Sequence, residues 1–349
     1  MKEPVRVREL TEADYQAWND LVAASPAGSP YSTPEYLGAL CEATGDRFRI
    51  ISACRGDELL GGVALYEEKT RLGWEVAPRL LLYYNGIVLR HYETKYPSLR
   101  TARELETTAA LHGALSRHGY AGLRLKCRPP FVDARAFIEA GWTARPSYTY
   151  VVPIEDIERL RGTIEQNLRR LIDRCGKQGM VVAEDDDFDS YFRMHVETHE
   201  RKGAAVYLPQ AAFERYFRRL RAAGLMRLYH ARLPGGQSVG AQLVLADRHR
   251  VGHTVSAAAD ARYLRLGATA YLRFKVFEDL ARRGYVATDL TDAALNPVTH
   301  FKSQLGGDLQ LCLSLEAPPS TRMRLLRLGQ GAYRGTRQAF RGLTGRGPR

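Results

Sequence analysis

The chain has 349 residues, 45% hydrophobic and 26% charged, a balance that excludes a disordered or fibrous protein and fits two domains of about 100 to 200 residues each. The formal charge of +12 is uneven: residues 317–349 hold eight arginines and no acid, and subtracting them leaves +4 for the body. The sequence has no apolar run of about 18 residues and its start, MKEPVRVREL, has no apolar core, so a membrane span and a signal peptide are excluded and a cytoplasmic location is expected.

In chain order, a strand (VRVREL) precedes a helix from Thr11 to about Ala24. Ser32-Thr33-Pro34-Glu35 reads as a second helix start, with a hydroxyl cap, Pro in the first turn and an acid behind it. Strands follow at 47–54, 59–67 and, as a pair, 79–89. Next come an amphipathic helix over 102–118, the strand GLRLKC, a short helix at 132–140 and the strand YTYVVPI. A long helix over 155–177, closed by Gly179, opens the second region. It continues with MVVAE, helices at 187–201 and 210–222, a hairpin through PGGQ, the strand RVGHTVSA, a helix at 267–283, VATDL, a loop and LQLCLSL. Strands and helices alternate irregularly, which predicts α/β with a mixed (α+β) sheet rather than a doubly wound one.

The plan repeats. Leu115-Ser116-Arg117-His118-Gly119-Tyr120 and Leu125 recur, offset by 165, as Leu280-Ala281-Arg282-Arg283-Gly284-Tyr285 and Leu290. Leu60-Gly61-Gly62 answers Val239-Gly240-Ala241, and Phe137 with Gly141 answers Phe301 with Gly306. Three matches in one order predict a duplicated fold: residues 1–150, residues 151–316 and a basic tail, 317–349.

Asn167-Leu168-Arg169-Arg170, then Gly284-Tyr285-Val286-Ala287-Thr288-Asp289-Leu290, then Phe301-Lys302-Ser303-Gln304-Leu305-Gly306-Gly307 resemble the Fem-type aminoacyltransferases and the related GNAT-like acyltransferases, most closely over 155–316. The resemblance implies tandem GNAT folds, the second binding an acyl donor. The reaction it implies is transfer of an amino acid from aminoacyl-tRNA, or an acyl group from a thioester such as acyl-CoA, onto an amine. Neither a tightly bound cofactor nor a metal is implied. Two departures matter. No long helical arm is present, so cell-wall bridge synthesis does not carry over. In the phosphate-cradling turn, Leu264-Arg265-Leu266-Gly267-Ala268-Thr269, Leu stands where CoA-dependent members have Arg or Gln.

Amide formation needs an amine as free base, donors for an oxyanion and a charge or proton for the leaving group, but no covalent nucleophile. Lys302 is the first candidate: the first repeat has Ile138 at its place, so the fold does not demand a lysine there. It either serves the donor or is a solvated loop residue. Phe301 has a partner in Phe137 and reads as core or as a stacking surface for the donor. Asp289, in an apolar strand, is a base for the amine or part of a structural ion pair. Gly267 and Thr269 at a helix start, with Arg169, Arg170 and Arg174, form a candidate phosphate-holding set, although Glu165 and Asp173 among them also suit a salt-bridged solvated helix. Tyr83, Tyr84 and Asn85 are a candidate wall of the acceptor cleft or an ordinary strand-to-turn junction. His195 and His199 stand four apart, but the HExxH order of a zinc site is absent, and the five cysteines are too scattered for a zinc site or disulfide framework.

The leading reading is an acyltransferase using aminoacyl-tRNA on an amine-bearing small molecule or peptide. The alternative enzyme is a CoA-dependent N-acyltransferase of envelope, polysaccharide or natural-product biosynthesis. A third reading is a non-catalytic protein whose basic tail touches RNA or an anionic membrane surface.

Overall fold

The computed structural model describes residues 3–319, so the eight tail arginines lie outside the described residues. The first half runs β1 (Arg6–Glu9), α1 (Tyr15–Ala24), α2 (Pro34–Thr44), β2 (Arg47–Arg55), β3 (Glu58–Thr70), β4 (Gly73–Val76), β5 (Ile87–Leu89), α3 (Pro97–Arg117), β6 (Gly122–Cys127), α4 (Arg135–Glu139) and β7 (Thr143–Pro153). The second adds α5 (Ile157–Thr163) and α6 (Gln166–Lys177), then repeats the order. It has β8 (Val181–Glu184), α7 (Phe188–Arg201), α8 (Gln210–Ala222), β9 (Met226–Arg232), β10 (Ser238–Leu245), β11 (Val251–Ala259), α9 (Ala268–Arg282), β12 (Ala287–Asp289), α10 (Pro297–Ser303) and β13 (Asp308–Glu316). Among the described residues no helix is long and apolar enough to cross a membrane.

The strands form one mixed sheet in the order β1-β2-β3-β4-β6-β13-β7-β12-β11-β10-β9-β8, with β5 paired to β3. Among the described residues only β4–β6 and β11–β12 are parallel. The halves exchange their last strands: β13 pairs with β6 of the first half, β7 pairs with β12 of the second, and the two exchanged strands pair with each other in the middle.

The repeats match in detail. Leu60 and Val239 are the extra residues of bulges at corresponding places in the β2–β3 and β9–β10 hairpins. Gly119 and Gly284 end α3 and α9 at φ 65° and 85°. In this left-handed region a residue with a Cβ is strained, and the turn releases the chain into the next strand.

One face of the sheet carries α1, α2, α7 and α8, whose buried rings, Trp18 and Tyr36 with Phe213, Tyr216 and Phe217, form a core shared by both halves. On the other face, Leu111, Leu115 and Phe137 close the first half and Leu272, Phe277 and Leu280 the second.

Three sequence expectations are corrected. The helix expected over 155–177 is broken at Ile164–Glu165, where both residues are extended and Glu165 N–H donates to Gln304 O at the end of α10. Of the strands expected over 79–89 only Ile87–Leu89 joins the sheet, because residues before it turn inward to the second half. The loop expected between the last two strands contains α10, started by Asn296, whose side chain accepts from Val298 and Thr299 N–H, with Pro297 in the first turn.

Candidate functional site

A parallel pair that parts leaves backbone groups facing a gap. In the first half β4 and β6 share only the register Glu75↔Gly122 and Val76↔Leu123. The gap beyond is closed by the chain itself: Asn85 Oδ1 accepts from Lys126 N–H (2.8 Å) and Asn85 Nδ2 donates to Arg124 O (3.0 Å). Gly86 is required here, since a Cβ would lie 2.4 Å from Cys127 Cα.

In the second half β11 and β12 pair from Val251↔Ala287 to His253↔Asp289, after which β12 ends while β11 runs on to Ala259. A bulge at Val255 turns β11 at this point, opposite the Leu243–Val244 step of β10. Thr291 Oγ1 donates to Thr254 O (2.7 Å), and Tyr83 Oη, from the first half, donates to Val255 O (3.0 Å). Side chains of both halves thus meet where the two strands part.

There Asp289 is fully buried. Its Oδ1 accepts from Thr149 Oγ1 (2.6 Å) and Thr291 N–H (2.8 Å), and its Oδ2 accepts from Tyr84 Oη (2.9 Å). Arg128 Nε stands 3.6 Å and His253 Nδ1 3.7 Å from Oδ2. Burial works against ionising this carboxyl, but Arg128 and the hydroxyl and amide donors outweigh it and hold it below the ordinary aspartate value. Burial pushes His253 down to about 3, so its ring is neutral and Arg128 supplies the countercharge. Arg128 Nη1 also donates to Gly28 O (2.9 Å). Asp289 thus stands as one member of a buried ion pair with Arg128.

Lys302, on α10, is drawn inward. Its Nζ donates to Thr291 O and to Asp292 O (2.7 Å for the latter), and both acceptors belong to residues at positive φ, 47° and 55°. Burial lowers its ammonium to about 8, helped by Arg273 and Lys126 and opposed by Asp292 and Asp289. Lys126 Nζ lies 3.4 Å from Asp292 Oδ1 and 5.7 Å from the Tyr84 ring centroid.

The remaining sequence candidates separate. Phe301 is partly buried against the second-half core. Tyr84 and Asn85 are buried, whereas Tyr83 is half-buried. Gly267 begins α9 at φ 98°, and a Cβ there would lie 2.6 Å from Leu171 Cβ, so α6 packs over this turn. Arg174 Nη2 donates to Arg265 O and Leu266 O (both 2.8 Å), Arg169 is half-buried and Arg170 is exposed. Thr269 Oγ1 is buried without a partner among the described residues. His195 and His199 lie with ring centroids 4.1 Å apart and planes tilted by 49°, and His199 Nδ1 meets His195 O (2.9 Å).

Arg128, Lys126, His253 and Arg273 were not singled out from sequence. Only Arg273 had a local signal, an arginine between Leu272 and Phe274 on a helix face that also carries Thr269 one turn earlier.

Residues 159–303 match the model of the acetyltransferase (GNAT) domain. The second half carries a GNAT acyltransferase domain. The parted β11–β12 pair and α9 between its strands lie within the matched residues, and the first half repeats the plan as a tandem fold. Solved structures agree on the fold. That of FemX is 12% identical, with a TM-score of 0.68 over 93% of this chain and 99% of its own. L-PGS from Bacillus licheniformis is also 12% identical (TM-score 0.57, 91% and 96%). A tandem GNAT protein from the clavulanic acid biosynthesis pathway is 14% identical (TM-score 0.53, 90% and 99%). The sequence matches no curated protein.

Proposed function

We propose that this acyltransferase forms an amide by moving an aminoacyl group from aminoacyl-tRNA onto an amine-bearing small molecule or peptide, in the cleft where β11 and β12 part. The observation that carries the reading is Lys302: an ammonium with three N–H groups uses two on Thr291 O and Asp292 O and keeps one for a substrate. The amine nitrogen attacks the ester carbonyl, the C–O bond to the ribose breaks, and the proton lost by the amine ends on the departing ribose oxygen. Protonated Lys302 would balance the negative charge that develops on that carbonyl or ribose oxygen. Asp289, which touches no open space, is a positioning residue that fixes Arg128, Tyr84 and Thr149 beneath the cleft. Tyr83 forms the acceptor wall.

A tRNA end is favoured by the donor side. Leu264 is exposed at the position of the expected Arg or Gln, and Leu171 covers the Gly267 turn that would cradle a CoA pyrophosphate. Arg169, Arg170 and Arg174 of the adjoining α6 form the proposed phosphate-holding set, and the sequence of the basic tail, 317–349, adds eight arginines. Acyl-CoA remains the second donor, on the strength of the GNAT match itself. We read residues 1–150 and 151–316 as the two duplicated units, and a cytoplasmic setting follows from the need for charged tRNA.

The test is a transfer assay on the full chain with a charged tRNA mixture and, separately, acetyl-CoA, with mass spectrometry of amines from a cell extract. Product from the tRNA arm alone supports the proposal, and product from acetyl-CoA alone transfers it to the second donor. No product from either, with RNA or vesicle binding retained, supports a non-catalytic role. Lys302→Ala should cut turnover roughly ten- to a thousandfold, and full activity with saturating donor would remove the lysine from the mechanism.

A further inference from the structure

Helix α9 buries Ala270, Leu272, Phe274, Val276 and Phe277, and among them it buries an arginine. Arg273 is 6% exposed. Its Nε and Nη1 are enclosed with no hydrogen-bond partner among the described residues, and no carboxylate lies within ion-pair distance. Such a charge is costly to bury and is normally paired. Thr269, one turn earlier on the same face, likewise has an enclosed hydroxyl with no partner.

The surroundings make the imbalance larger. The charge of Arg273 helps lower the ammonium of Lys302, and burial, opposed by Tyr83, lowers the guanidinium itself to about 10. The two nearby acids are committed elsewhere, Asp289 to Arg128 and Asp292 to Lys126. Two cations, Arg273 and Lys302, are therefore left without an acid of their own among the described residues.

We propose that Arg273, assisted by Thr269, is the carboxylate-binding side chain of the cleft, so that the substrate carries a carboxylate beside the reacting centre. A planar guanidinium with free N–H groups matches a carboxylate, and the cation would be neutralised only when substrate is bound. The carboxylate belongs either to an amino-acid-like acceptor or to an acidic transferred group. This inference rests on the reading of the cleft as the acyl-transfer site, yet its readout is binding, so loss of transfer and loss of carboxylate recognition are separate results.

The experiment compares the full chain with Arg273→Met, which keeps the length and removes the charge. Thermal shift and calorimetry are run at constant ionic strength with alanine against alaninamide, with succinate against succinamide, and with inorganic phosphate. Preference for alanine over its amide places the carboxylate on the acceptor, and preference for succinate over its amide places it on the transferred group. Either supports the proposal when Arg273→Met weakens that ligand by about thirtyfold or more and, without ligand, melts no lower than the unsubstituted protein. No preference in either pair, the same preference in Arg273→Met, a phosphate response that Arg273→Met removes, or a large fall in the melting point of ligand-free Arg273→Met would overturn it.

Discussion

Replacing Asp289 with Asn removes the acid that pairs with the buried guanidinium of Arg128 while keeping the side chain's size. Leaving one member of a buried pair uncompensated costs about 3–5 kcal/mol. The amide also brings an NH2 group to a place where Tyr84, Thr149 and Thr291 all donate. With a urea slope of about 2–3 kcal/mol/M, the unfolding midpoint should fall by roughly 1–2 M. The folded-state pKa of Asp289 lies below its unfolded value of about 3.9, so its contribution is present above that value and is lost as pH falls through the folded one. The gap between wild type and Asp289→Asn should therefore be constant from pH 8 to pH 5 and narrow only in stronger acid. Removing both charges with Arg128→Met and Asp289→Asn should cost less than the sum of the singles by about 1–3 kcal/mol. The assay is a double-mutant cycle by urea unfolding. Additivity within about 0.5 kcal/mol, or a single-variant loss below about 1 kcal/mol, would refute the ion pair as the tie between the halves.

Three further outcomes are expected. His195 and His253 are pushed down to about 4 and about 3 by burial, below their unfolded values, so they favour the folded state above about pH 6.5 and lose that contribution as pH falls; stability should drop by about 2–3 kcal/mol per pH unit between pH 6 and 5, read by urea titration, with His253→Gln flattening the slope. Gly86→Ala should lower stability by about 2 kcal/mol or more, seen as a fall in the thermal midpoint, because its Cβ meets backbone of β6 that cannot swing aside. Deleting residues 318–349, eight arginines, should weaken RNA or anionic-vesicle binding and flatten its salt dependence, whereas an unchanged slope would free the tail of that role.

Asp289 and Lys302 stood out in the sequence as polar departures, one within an apolar strand and the other against its counterpart Ile138 in the repeat. Their partners did not. Arg128 and Tyr84 reach Asp289 across 161 and 205 positions, and a contact at that separation leaves no periodicity to read. The strand exchange was equally hidden: β7 and β13 are nine to eleven residues of similar character, and pairing each with its own half or the other's buries similar faces. The break at Glu165 was invisible for the same reason, since α10 supplies the competing hydrogen bond from 139 residues away.

The exchange of β7 and β13 also governs how the chain can be made. As synthesis proceeds, β6 emerges with its outer edge unpaired, and the strand that covers it ends at Glu316, after nearly all of the second half has been translated. An exposed strand edge is an invitation to pair with other chains. The growing chain must hold that edge open, or have it shielded, through about 190 residues of translation, roughly ten to forty seconds at ordinary rates. Truncation before β13 would leave the first half permanently incomplete, although every residue of its own repeat is present.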